Sequence, residues 1–321
     1  MLQSILYGNG INRLTKGMPS WDQLIKDISD VELDENIPNP LKYEALLMKK
    51  PYRGPHQRLI DRDGFTLADR DGKILYAAGE LTEKTLKVKI ADRLKSFGSN
   101  KTYDEIANLP VTHFITTNYD NTLFNSLGEG ALNKRFREEQ IYSLRRNYLI
   151  NSVGGGLQYY WPIHGNIDSP ASIMLGFDHY CGSLAKIEQY VKGGYDLHGS
   201  RLESIKNRLR EGIKEIVSWV DLFFISDIHI IGLNLGYEET DLWWVLNKRR
   251  RIKQEDPKLI NNNIFYYPVE NIRDDIQQLL SSFDVQVATL DDATLARPFP
   301  LRYSAQMSSI KQNLNNGNKK N

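Results

Sequence analysis

Apolar positions along the chain fall into two rhythms. Short runs rich in β-branched and aromatic residues occur at Gln3–Tyr7, Val111–Thr116, Ile228–Leu235, Asn263–Pro268 and Asp284–Leu290, all but the last without regular polar alternation. Runs that are apolar on both faces suit parallel strands buried between two layers of helix. The second rhythm has a spacing near 3.6. It predicts helices through Leu24, Ile25 and Ile28, over Leu41–Lys49, Leu81–Phe97, Glu238–Lys253 and Ile272–Phe283, and through most of Leu184–Phe224. In the last of these the stripe Leu202, Ile205, Leu209, Ile213, Ile216 and Val217 reads as core. A further strand is expected near Gln140–Leu144. Strand and helix alternate at both ends of the chain, which predicts an α/β fold with a doubly wound parallel, Rossmann-like sheet.

Local signals refine the boundaries. Ser20 with Gln23 three residues later, and Thr102 with Glu105, each read as capping boxes that start a helix. Pro51–Pro55 and Asp61–Gly72 are dense in turn residues, so about 30–105 reads as a helical insertion beside the sheet, and 181–224 as a second one. One domain over 1–290 follows, with a C-terminal extension at 291–321. The Asn- and Lys-rich end from Ser308 to Asn321 has the composition of a disordered tail.

The polar residues of interest sit where strands end. In an open α/β sheet that carboxyl edge is where ligands bind. Gly8-Asn-Gly-Ile-Asn-Arg13 leaves the first strand with two glycines, which let a backbone approach a phosphate, although Arg13 stands where a G-x-G-x-x-G fingerprint has its third glycine. Thr116-Thr-Asn-Tyr-Asp120 leaves the central strand. Asp120 or Asn121 there could equally cap the next helix. His164-Gly165 follows the aromatic run Gln158–Ile163, where a histidine is either a proton acceptor or an ordinary capped side chain. Gly232 and Asn234 close the run that begins at Ile228.

Composition narrows the classes of function. With 41 basic and 40 acidic residues there is no global attraction to nucleic acid or to an anionic membrane. Lys248–Arg251 falls in the last turn of a predicted helix, where the helix dipole accounts for it, and no aromatic platform or second basic run accompanies it. Direct nucleic-acid binding is therefore not expected. The single cysteine, Cys181, supplies neither a disulfide framework nor a Cys-rich zinc site. No stretch is apolar enough to span a bilayer, and the first residues run into a strand, so the expectation is a cytoplasmic protein.

Thr116-Thr-Asn-Tyr-Asp120 resembles the TTNYD segment of the bacterial sirtuin-related (SIR2-like) family of anti-phage defence systems. Other segments appear in the family's order: Gly8-Asn-Gly-Ile-Asn12 against G-A-G-I-S, Pro19-Ser-Trp21, His164-Gly165 followed by Ser172–Tyr180, and Ile230-Ile-Gly-Leu-Asn-Leu235 against I-I-G-x-S-L. The glycine turn also resembles a neighbouring abortive-infection family with G-N-G-F-D. The SIR2-like resemblance implies NAD as substrate, with Asn118 and His164 as the catalytic pair. It implies cofactor contacts from Gly8, Asn9, Gly10, Asn12, Arg13, Thr117, Asp120, Gly232 and Asn234, and no metal. Deacylating relatives carry a zinc module of paired CxxC motifs, absent here, so the implied reaction is NAD hydrolysis to nicotinamide and ADP-ribose. The implied setting is an abortive-infection effector that forms a homo- or hetero-oligomer. Only about thirty mostly polar residues follow Leu290, so a partner protein is expected to sense infection. Two other readings stand beside this one: a nucleotide sensor that binds NAD or ADP-ribose without turnover, and a scaffold subunit.

Overall fold

The computed structural model describes residues 1–29, 33–34, 37–48, 67–68, 74–76, 82–127, 132–133, 141–151 and 156–318. The turn-rich stretches Pro51–Pro55 and most of Asp61–Gly72, together with Gly154–Gly155 and Lys319–Asn321, lie outside them.

An α/β architecture is built on one eight-stranded sheet, as the alternation predicts. Its strands are β1 (Leu2–Tyr7), β2 (His113–Thr116), β3 (Leu132–Asn133), β4 (Tyr148–Asn151), β5 (Leu157–Pro162), β6 (Ser226–Ile231), β7 (Ile264–Tyr267) and β8 (Val285–Val287). They lie in the order β8-β7-β6-β1-β2-β5-β4-β3, and β8 through β5 are all parallel. The chain winds outward from β1 in one direction, returns, and winds outward in the other. This is the doubly wound Rossmann-like topology, with its switch point between β1 and β6.

Alternate residues of each strand face opposite layers. Leu6, Ile115, Trp161, Ile228 and Ile230 enter one core with helices α6 (Phe177–Lys192), α8 (Trp219–Ile225) and α9 (Thr240–Glu255). Ile5, Tyr7, Phe114 and Tyr160 enter the other, against α4 (Lys101–Ala107), α5 (Thr122–Leu127) and α12 (Phe299–Asn318). A third cluster joins α1 (Trp21–Ser29), α2 (Asn39–Met48) and α3 (Glu83–Leu94) to Ile167, Ile173 and Leu175. Those three helices, α1 ahead of the first insertion and α2 and α3 within it, roof the carboxyl edge. No helix among the described residues is long and apolar enough to cross a membrane.

Several boundaries differ from the expectation. Residues 141–147 form turns, and the strand comes later, at Tyr148–Asn151, because its partner is the antiparallel edge of β5. The stretch from Leu184 to Phe224 is not one helix. It is the end of α6, a hairpin pairing Asp196–Leu197 with Ser200–Arg201, then α7 (Ile205–Glu211) and α8. The chain turns at Gly193 and Gly212, while the apolar stripe is still packed against the core. Asn100, not a Thr102 box, caps α4: its side chain accepts from the Thr102 and Tyr103 N–H groups at 3.0 and 3.2 Å.

The tail is ordered in a way its composition hid. Tyr303, Met307, Ile310 and Leu314 recur every three or four residues on α12 and are all 0% exposed. Asn313 donates to the Tyr267 hydroxyl at 2.8 Å, and that hydroxyl is 2.8 Å from His229 Nδ1, so the helix is tied to the sheet by polar contacts as well. Truncating Leu314 to alanine is expected to destabilise the protein by about 2–4 kcal/mol, the usual range for a buried leucine. Denaturant unfolding measures it, and a change under about 0.5 kcal/mol would mean the helix is not docked.

Candidate active site

Register brings four of the predicted strand ends abreast. Tyr7 pairs with Ile231 on one side and Thr116 on the other, and Thr116 pairs with Pro162. The residues that follow these positions therefore leave the sheet at one level. They form the floor of a cavity of about 130 Å³, walled by Asn9, Asn12, Thr117, Asn118, Asp120 and His164 and by Tyr180, Glu238 and Glu239. Trp21 on α1 and Asn39 and Leu94 on the first insertion's helices close it from above.

The other five predicted site residues lie elsewhere. Gly8, Gly10 and Gly232 are not in the cavity wall; they let the loops after β1 and β6 meet. The Gly10 N–H donates to the Gly232 carbonyl at 2.8 Å, and a Cβ on Gly10 would lie 2.8 Å from that same oxygen. The N–H groups of Gly8, Ile11 and Asn12 are likewise bonded within the chain, to Ile231, Gly8 and Asn9 carbonyls. The turn was expected to hold out N–H groups to a pyrophosphate; here close loop packing uses them. Arg13 is exposed, and its guanidinium stacks 4.8 Å over Phe299 of α12. Asn234 is exposed outside the cavity.

His164 is 2% exposed. Gly165 after it adopts φ +106°, and a Cβ there would lie 2.4 Å from the Ser172 carbonyl. The His-Gly pair is thus a packing requirement as well as a chemical one. His164 Nε2 is 2.8 Å from Asp241 Oδ2, and Asp241 is 0% exposed. A carboxylate only accepts, so Nε2 carries the hydrogen and Nδ1 is the basic nitrogen. Nδ1 lies 3.9 Å from Glu239 Oε2. Burial works against charge on His164, but the Asp241 carboxylate outweighs it and the pKa is raised. Burial also pushes the Glu239 carboxyl up to about 7, against the pull of His164 and with the repulsion of Asp241 and Glu238.

These acids were not singled out from the sequence, where Glu238, Glu239 and Asp241 read as first-turn complements to the dipole of the α9 helix. Their position on the segment that leads from the β6 strand end into α9 was the available signal. Asp241 does lie in the first turn of α9, and Glu239 at its N-cap makes no side-chain capping bond. His164, Glu239 and Asp241 place one donor atom each within 4.8 Å of the others, the grouping among the described residues that could hold a cation. The direct contact between His164 and Asp241 has the length and partners of an ordinary charge-assisted hydrogen bond.

Asn118 is 5% exposed, donates its Nδ2 to the Tyr103 hydroxyl at 3.1 Å, and keeps a buried Oδ1 with no partner among the described residues. Asp120 is engaged within the chain. Its Oδ1 accepts from the Thr122 N–H at 3.0 Å, in the manner of a helix cap, and its Oδ2 from Asn12 at 2.7 Å. Fold and site together define a Rossmann-like α/β protein with a cavity at the carboxyl edge of its parallel strands, its floor polar and acidic and its roof largely apolar. No protein-family model and no curated protein matches the chain.

Proposed function

We propose that this chain hydrolyses NAD at the bond between nicotinamide and ribose, as the resemblance to SIR2-like enzymes implies. One observation carries the reading: a carboxylate-bound histidine and an asparagine with an unpartnered oxygen line one cavity whose lining, among the described residues, holds Glu238 and Glu239 and no lysine or arginine. Cleavage of such a bond passes through an oxocarbenium-like state, and fixed negative charge stabilises it. At about 130 Å³ the cavity has the size that takes one six-membered ring. The nicotinamide end of NAD would therefore be enclosed, and the rest of the dinucleotide would lie towards the mouth. Asn118 Oδ1 would accept from the attacking water and His164 Nδ1 would take its proton. Nicotinamide leaves with the electron pair of the broken bond, and ADP-ribose keeps the water oxygen.

We include in this proposal a cytoplasmic setting, an anti-phage role and an activating partner chain. Nicotinamide release by the full chain, alone and with proteins encoded beside it, tests the partner; phage survival and NAD loss in cells carrying the chain test the role, and fractionation of those cells tests the setting. NAD at one hundred times its dissociation constant is expected to stabilise the fold by about 2.7 kcal/mol, read as a thermal shift. A chelator is expected to leave nicotinamide release unchanged; a loss restored by a divalent cation would move the reading to a metal site at His164, Glu239 and Asp241. A second reading, binding without turnover, is favoured by Asn9 and Asn12, which stand where the SIR2-like turn has alanine and serine. It predicts the same thermal shift with no nicotinamide released.

A further inference from the structure

Behind the cavity four side chains form a hydrogen-bond relay with a direction. Asp120 is 4% exposed, and its Oδ2 lies 2.7 Å from Asn12 Nδ2. Asn9 Oδ1 takes a second bond from the same nitrogen at 2.8 Å. An ionised carboxylate has no proton to offer, so the Asn12 amide must turn its NH2 toward Asp120. Its Oδ1 is then left to accept, and the Tyr103 hydroxyl donates to it at 2.5 Å. Tyr103 is 0% exposed, and burial, with Asp120 nearby, pushes its phenol well above the ordinary value, which keeps the proton in place. With its one proton directed at Asn12, Tyr103 can meet Asn118 only as an acceptor, and Asn118 Nδ2 donates to it at 3.1 Å. The remaining Asn118 atom is Oδ1, buried, unpartnered and on a side chain that lines the cavity.

We propose that Tyr103 is a positioning residue: with Asn12 it carries the fixed polarity of the Asp120 carboxylate to Asn118, so that the cavity is offered a hydrogen-bond acceptor for a hydroxyl-bearing occupant, water or a ribose hydroxyl. The occupant rests on the NAD reading above; the polarity does not. Reversing the amides would set Asn12 Oδ1 against an Asp120 oxygen, acceptor on acceptor, so the direction of the network is fixed by the carboxylate. The first turn of α4, set by the Asn100 cap, is what brings Tyr103 to this place.

The test uses the full-length chain and two variants that remove different parts of the relay. Asp120→Asn keeps the shape and allows Asn12 and Asn118 to turn over; Tyr103→Phe deletes the shared hydroxyl. Each is expected to lower kcat for nicotinamide release by roughly tenfold or more with KM for NAD changed by less than about threefold. In an Asn118→Ala background neither should lower kcat further, because residues acting through one group are not additive. Losses that multiply in that background would overturn the relay. If Tyr103→Phe does not fold, Asp120→Asn and its combination with Asn118→Ala carry the same comparison. Should the wild-type chain release no nicotinamide under any condition, the NAD reading falls alone. The relay is then judged by the Asn118 side-chain NH2 signal, assigned by its loss in Asn118→Ala: it should be protected from exchange in the wild type and lose protection in Tyr103→Phe and Asp120→Asn. An unchanged signal in both variants would overturn the proposal.

Discussion

Replacing His164 with alanine is expected to lower nicotinamide release by roughly 10²- to 10⁴-fold, the range a positioned general base contributes. The imidazole is 2% exposed, its Nε2 is held by Asp241 at 2.8 Å and its ring meets Tyr180 edge-on at 5.4 Å, so the base is fixed in direction before any substrate arrives. NAD binding should survive, since most of the dinucleotide would lie away from this side chain. Asn118→Ala should lose a comparable factor, and the double variant little more than either single one, because both groups act on the same water. The measurement is single-turnover NAD consumption with folding checked by thermal melt. Full activity in His164→Ala would exclude the hydrolytic mechanism and leave binding without turnover in front.

The second large effect is expected from Asp241→Asn, a substitution that changes almost no volume. Asp241 Oδ1 accepts from the Leu242 N–H at 2.8 Å, which Asn can reproduce with its oxygen. Its NH2 would then face His164, force Nε2 to accept, and move the ring hydrogen to Nδ1, so the basic nitrogen would no longer face Glu239 and the cavity. A loss of roughly 10²- to 10⁴-fold in kcat follows from the wrong tautomer. The pH profile separates this from simple damage. In the wild type the Asp241 carboxylate raises the His164 pKa above 6.5, so activity should climb with pH through neutrality as the base loses its proton. Glu239, near 7, is expected to add to the same limb. Removing the Asp241 charge removes the main upward cause on His164, so the limb should move toward acid. A profile that fell in rate without shifting would assign Asp241 to structure and not to the base.

Much of the scaffold was legible because parallel strands buried on both faces cannot disguise themselves. The runs that begin at Gln3, Val111 and Ile228 read as strands and hold the strands Leu2–Tyr7, His113–Thr116 and Ser226–Ile231. The capping signal at Ser20 is real: its Oγ accepts from the Gln23 N–H at 3.1 Å. The edge strand at Tyr148–Asn151 was misplaced because its position follows from antiparallel pairing with β5, a long-range choice that no local run records. The α12 helix was missed for a related reason. Its buried residues are only one in three or four, and Asn and Lys between them dominate any compositional measure.

The candidate site divides along the same line. The sequence by itself determined that polar residues follow the strands at Asn9, Thr117–Asp120 and His164, and the parallel register, with Tyr7, Thr116 and Ile231 as neighbours, brings them level at one edge. Only the tertiary structure decided that Gly8 and Gly10 serve loop packing, that Arg13 turns to Phe299, and that Asp241 and Tyr103 stand behind His164 and Asn118. The physical reason is sequence separation. His164 and Asp241 are 77 residues apart and Asn12 and Asp120 are 108 apart, so each hydrogen bond exists only after the sheet has closed the distance. The orientation of an amide or an imidazole is set by the partner it then meets.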